Sequence, residues 1–116
     1  MSQLDSINNL TTAVVFFAFN RPEKLQNTIK SYLSCSNAQT KDIIVYIDGP
    51  RKIQERNLTE RCFDVSSELL PNADIIYREK NMGLKNSIYA GISDVLKIYD
   101  SVIVIEDDLK LEPQFY

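Results

Sequence analysis

Histidine is absent from these 116 residues, cysteine occurs twice, and glycine occurs three times. Without histidine the chain can hold no Ser-His-Asp triad, no Cys-His pair and no His-ligated zinc. Any metal it binds must sit among oxygen ligands, which favours manganese, magnesium or calcium. Cys35 and Cys62, in a chain that is 44% hydrophobic, read as small core residues rather than as a bridge. No glycine-rich phosphate loop of the P-loop or Rossmann type occurs. No apolar run approaches the ~20 residues that span a bilayer, so no transmembrane segment is expected. The start, Met1-Ser2-Gln3-Leu4-Asp5-Ser6, has no basic segment leading into a long apolar one, so no signal peptide is expected either. Missing signals and unpaired thiols point to a cytoplasmic location, with peripheral association at the inner membrane left open.

What is present is ordinary for one globular domain. Charged residues make up 25%, and thirteen basic residues against sixteen acidic ones leave a net charge of −3. That balance argues against a disordered chain and gives no general attraction to nucleic acid or an anionic membrane.

Apolar runs alternate with helical periodicity. Ala13-Val14-Val15-Phe16-Phe17-Ala18-Phe19 is nearly continuous and rich in β-formers, as in a strand buried on both faces. Asn20-Arg21-Pro22-Glu23 is a helix start, followed by Leu25, Ile29, Tyr32 and Leu33 on one face. A second strand, Ile43–Ile47, stops at the turn-forming Asp48-Gly49-Pro50. A helix is predicted from Ile53 to Leu70, with Leu58, Cys62, Val65 and Leu69 on its stripe. A short strand, Asp74–Tyr77, leads through Arg78–Gly83 to a helix with Leu84, Ile88, Ile92, Val95, Leu96 and Tyr99 on one side. Val102–Ile105 is a fourth strand, running into Glu106-Asp107-Asp108. This order predicts an α/β fold, a mainly parallel sheet sandwiched by helices with right-handed crossovers. The last residues, Leu109–Tyr116, look like the beginning of another element, so the chain is expected to be the first part of a longer protein.

Ligands on such sheets gather outside the carboxyl ends of the strands. The residues to weigh are therefore those that follow each strand. Glu106-Asp107-Asp108 concentrates three carboxylates at one such end, where repulsion is relieved by a divalent ion that would also hold a diphosphate. The plainer alternative is a solvated acidic turn, and both stand at this point. A glycosidase pair fits poorly, because successive residues of an extended segment point to opposite faces. Asp48 would accept hydrogen bonds from a base or ribose, or simply close an Asp-Gly turn. Arg21 would pair with phosphate, or be an exposed arginine opposing the dipole of the helix it begins. Asn81-Met82-Gly83-Leu84-Lys85 puts a glycine at a helix entrance and a lysine in the first turn, which suits an anion or merely a cap.

In order, these motifs resemble the start of a GT-A-fold glycosyltransferase. The strand into Phe19-Asn20-Arg21-Pro22, the strand into Asp48-Gly49, Asn81-Met82-Gly83 before a helix, and Val102-Ile103-Val104-Ile105 into Glu106-Asp107-Asp108 are similar to two types. These are the bacterial family 2 type and the N-acetylglucosaminyltransferase I type, whose Glu-Asp-Asp triplet is also followed by a proline and an aromatic, here Pro113 and Phe115. The resemblance runs from about Ala13 to Tyr116. It implies a nucleotide-sugar site, with UDP-sugar favoured, and a Rossmann-like GT-A half. It implies that Asp108 binds Mn²⁺ or Mg²⁺ and that Glu106 and Asp107 contact ribose or donor sugar. It further implies that Asp48 contacts the base and that Arg21, with Lys85, lies near the nucleotide. The saccharide or other hydroxyl acceptor, and the catalytic base, would belong to a C-terminal half beyond this chain.

Three other readings compete. A receiver-like signalling module has the right length, but places its acidic pair after the first strand, where this chain has Asn20-Arg21. A sugar nucleotidyltransferase would want a glycine-rich loop there. A nucleotide-binding module without turnover is the third.

Overall fold

The computed structural model describes residues 11–35, 38 and 41–107. The elements run β1 (Thr12–Ala18), α1 (Pro22–Leu33), β2 (Asp42–Ile47), a 3-10 turn (Ile53–Glu55), α2 (Arg56–Leu69), β3 (Asp74–Tyr77), α3 (Leu84–Val95) and β4 (Ser101–Glu106). The four strands form one sheet in the order β3-β2-β1-β4, and every pairing is parallel. This is an α/β, Rossmann-like fold.

The burial pattern follows from that order. β1 is central, so both of its faces are covered, and Ala13 through Ala18 are all buried. Alternation then sorts the side chains into two cores. Val14, Phe16, Val45, Ile47 and Ile105 pack with Leu25, Ile29 and Tyr32 of α1 and Cys62 of α2. Ala13, Val15, Phe17, Ile44 and Tyr46 pack with Val95, and with Ile88 and Ile92 of α3 at the margin. Helices α1 and α2 therefore cover one face and α3 the other, as right-handed crossovers demand when the chain reverses direction across β1.

Local signals explain the boundaries. Pro22 opens α1 where its missing N–H costs nothing, with Glu23 in the first turn and Lys30 in the last. Pro71 follows Leu70 and stops α2. Gly91 lets α3 approach the sheet, since a Cβ there would lie 2.7 Å from Phe17 Cε1 and 3.0 Å from Tyr46 Cε2. Phe17 and Tyr46 are stacked beneath it, ring centroids 5.4 Å apart. Cys35 and Cys62 are buried free thiols, and burial pushes the Cys62 thiol up to about 12.

Two expectations change. The helix predicted from Ile53 begins instead as a 3-10 turn, and the α-helix starts at Arg56. The α3 stripe is shorter than its spacing suggests: Leu84 and Leu96 are 56% and 49% exposed. Leu84 is the first helical residue and Leu96 lies past the last, so neither sits over the sheet.

Candidate functional site

Strand order reverses between β1 and β4, because β2 and β3 lie to one side of β1 and β4 to the other. The crevice of a parallel sheet opens at such a reversal, beyond the strands' carboxyl ends. Arg21 follows β1 and Asp107 follows β4. Arg21 Nη2 meets Asp107 Oδ1 at 3.0 Å, with the Arg21 side chain 46% exposed and that of Asp107 only 7%. Thr28, on the buried side of α1, donates its hydroxyl to the Asp107 carbonyl oxygen at 2.8 Å. The side chain of Asp107 is thus tied to the residue that precedes α1, and its main chain to α1 itself. Glu106 precedes it on the strand, in register with Phe17, and alternation assigns it to the α3 face of the sheet.

Asp48 follows β2 and is buried. Its main-chain N–H extends the ladder to Ala18 O at 2.9 Å. Its carboxylate takes four hydrogen bonds. Oδ1 accepts from Gly49 N at 2.9 Å and Met82 N at 2.8 Å, while Oδ2 accepts from Gly83 N at 3.0 Å and Asn81 Nδ2 at 3.1 Å. A carboxylate has about four acceptor positions, and all are engaged. Asp48 thereby fixes the loop that leads into α3. Two glycines permit this. A Cβ on Gly49 would lie 2.7 Å from the Lys80 carbonyl carbon, and Gly83 has φ of +82°, which favours glycine.

A third group joins the loops after β1 and β2. Glu55, buried at the end of the 3-10 turn, accepts from Arg51 N at 2.9 Å, Arg51 Nε at 3.2 Å, Arg51 Nη2 at 2.8 Å and Asn20 Nδ2 at 2.9 Å. The Arg51 hydrogen bonds hold its carboxyl down at about 2, against the opposing push of burial. The Arg51 guanidinium carbon lies 5.1 Å above the centroid of the Phe19 ring.

A cavity of about 190 Å³ is lined by Phe17, Phe19 and Leu84 together with Asp48, Arg51 and Asn81. A separate hollow of about 450 Å³ is lined by Arg56, Arg78 and Lys80 among others. Arg78 turns its guanidinium over the Tyr46 ring, 4.9 Å from the centroid, and its Nε and Nη2 are buried without a hydrogen-bond partner among the described residues. A larger space of about 660 Å³ is at the opposite end of the sheet, by Asp42 and Asp74 at the amino ends of β2 and β3. Parallel sheets do not gather ligands there.

The residues singled out in the sequence thus separate. Arg21 and Asp107 meet, 86 residues apart in the chain. Asp48 stands at the centre of a neighbouring hydrogen-bond cluster. Lys85 is exposed on the first turn of α3 and makes no hydrogen bond or ion pair among the described residues. Asp108 lies outside the described residues. Among the described residues no three His, Cys, Asp or Glu side chains gather into a metal-binding group. Sequence reasoning missed Thr28, Arg51 and Glu55. Only the i, i+4 spacing of Arg51 and Glu55 was a visible signal.

Together these features define a Rossmann-like α/β unit with polar and charged groups assembled along the carboxyl edge of its sheet. Comparison with known proteins finds no matching family model and no matching curated relative. No helix among the described residues is long and apolar enough to cross a membrane.

Proposed function

We propose that the chain is the donor-binding unit of a metal-dependent glycosyltransferase of the GT-A type, taking a nucleoside-diphosphate sugar, with a UDP-sugar favoured. The observation that carries this reading is the crevice between β1 and β4, where Arg21 meets Asp107 one residue before Asp108. A cation aimed by a buried acid, beside further carboxylates, suits a diphosphate approached from the carboxyl edge of a parallel sheet.

Each residue then has a task. Arg21 offers its half-exposed guanidinium to the nucleotide, and its bond to Asp107 limits the directions it can take. Asp48 keeps the Asn81–Gly83 loop in place beside the cavity. Glu106 and Asp107 would face ribose or donor sugar. The carboxylates of Glu106 and Asp108 are hard oxygen donors that suit Mn²⁺ or Mg²⁺, with Asp108 as the principal ligand. Bound there, the ion would supply charge stabilisation for the departing diphosphate. The acceptor, a saccharide or another hydroxyl compound, and the base that deprotonates it would belong to a further part of the protein.

The receiver-like alternative is less well supported. In that fold β3 lies beside β1, whereas here β2 and β4 do. Calorimetry tests the donor reading: UDP should bind with heat that depends on Mn²⁺, and Asp108→Ala should remove the metal-dependent part. Equal binding in EDTA would contradict it.

A further inference from the structure

The pairing of β4 with β1 ends at Glu106, opposite Phe17. Asp107 is the first residue beyond that ladder. Chains that leave a sheet usually run over the surface and are free to turn. Asp107 is instead buried and held at two points. Its carboxylate meets Arg21 Nη2 at 3.0 Å, and its carbonyl oxygen accepts from the Thr28 hydroxyl at 2.8 Å.

Thr28 stands in the buried stripe of α1 with Leu25, Ile29 and Tyr32. Packing alone would be served there by valine, which has the same shape and no hydroxyl to satisfy. Threonine keeps that shape and adds one donor aimed at the strand end. Its branched Cβ restricts χ1, and enclosure leaves the hydroxyl little freedom. The oxygen it holds belongs to the peptide unit that joins Asp107 to Asp108. Because that unit is planar, holding its oxygen also holds the amide nitrogen at its other end.

We infer that Thr28 is a positioning residue of the metal site: through the Asp107 carbonyl it sets the direction in which the chain leaves β4 toward Asp108. The inference rests on the donor reading above. It adds to that reading a group that touches neither ion nor nucleotide and acts through the main chain. Outer groups that orient a metal's ligands typically carry about 10–100-fold in metal affinity.

The test titrates the whole chain with Mn²⁺ in the presence of UDP and follows free Mn²⁺ by electron paramagnetic resonance. Wild type is compared with Thr28→Val, Thr28→Ser and Thr59→Val. Thr59 is equally buried, and its hydroxyl is bonded to Tyr77 Oη and the Arg56 carbonyl oxygen. Thr59→Val therefore removes a hydroxyl of the same kind that does not reach Asp107. Thr28→Val should weaken Mn²⁺ binding by about tenfold or more. Thr28→Ser, which keeps the donor, should bind close to wild type, and so should Thr59→Val. Wild-type Mn²⁺ affinity in Thr28→Val would overturn the inference and leave the donor reading standing. An equal loss in Thr59→Val would also overturn it, because the effect would then follow stability. So would an equal loss in Thr28→Ser, which would assign the effect to the methyl group. No binding of Mn²⁺ to the wild-type chain with UDP present would remove both readings. Should Thr28→Val fail to fold, Thr28→Ala takes its place with the same expected loss.

Discussion

The hydroxyl of Thr28 donates a 2.8 Å hydrogen bond to the carbonyl oxygen of Asp107, joining the buried side of α1 to the end of β4 across 79 residues of sequence. Thr28 is fully enclosed. A threonine inside a helix often turns its hydroxyl back to its own helix. Here the hydroxyl reaches the neighbouring strand end, on the residue whose side chain holds Arg21. The same aspartate is therefore anchored twice.

Thr28→Val should lower stability by about 1 kcal/mol, the usual worth of one buried hydrogen bond. Thr28→Ser should retain most of it. Urea denaturation of the three proteins side by side measures the difference. Equal midpoints for wild type and Thr28→Val would mean the bond contributes nothing.

Asp48→Ala strips the acceptor from three main-chain N–H groups and one amide hydrogen. Its cost should be at least about 2 kcal/mol, because some of those donors are left without a partner. Hydrogen exchange gives the local reading: the Met82 and Gly83 amides should lose protection in the variant, while those of β1 keep theirs.

How far these features could be read in advance depends on their range in sequence. The β1 run from Ala13 is continuous because its strand is covered on both sides, and that pattern is visible in a single sequence. Pro22 and Pro71 mark helix ends by local geometry. Leu84 and Leu96 fit the helical period as well as Ile88 does, yet period cannot tell which turns of a helix lie over the sheet. Ser66 and Thr59 are fully buried polar residues on α2, and Ser66 is satisfied within its own helix by the Cys62 carbonyl. Composition gives no sign of that. Asp48 was recognisable as the residue after a strand, but its four donors come partly from residues more than thirty positions later. Asn20 and Glu55 are likewise 35 residues apart. Position relative to a strand end was legible; who shares a hydrogen bond there was not.

Glu55 makes stability depend on acid. Its carboxyl is held down at about 2 by Arg51, below the ~4.3 of an unperturbed glutamate. A depressed acid contributes stability that is fully present above the unfolded value and is lost as pH falls through the folded one. The loss should therefore run from about pH 4.3 down to about 2. Glu55→Gln should be less stable than wild type at neutral pH and should flatten the stability curve over that interval. Curves of identical slope would show that the clamp does not form in solution.

Gly91→Ala sets two preferences against each other. Alanine is better in a helix than glycine by about 1 kcal/mol. The added carbon would meet Phe17 at 2.7 Å and Tyr46 at 3.0 Å, and both rings are packed within the second core. Overpacking of this kind costs about 1–3 kcal/mol, so a net loss is expected. Phe17→Leu in the same background should restore part of it. A Gly91→Ala protein as stable as wild type in thermal denaturation would mean that α3 shifts without cost.

The donor reading is tested most directly by where a bound ion sits. Mn²⁺ broadens the nuclear resonances of groups close to it, so a spectrum recorded with UDP and a small amount of Mn²⁺ maps the site. The account predicts selective loss of the Arg21, Glu106 and Asp107 amide signals at the carboxyl ends of β1 and β4, with those of Asp42 and Asp74 at the far end of the sheet unchanged. Broadening centred on Asp42 and Asp74, or none at any of these residues with UDP present, would contradict it.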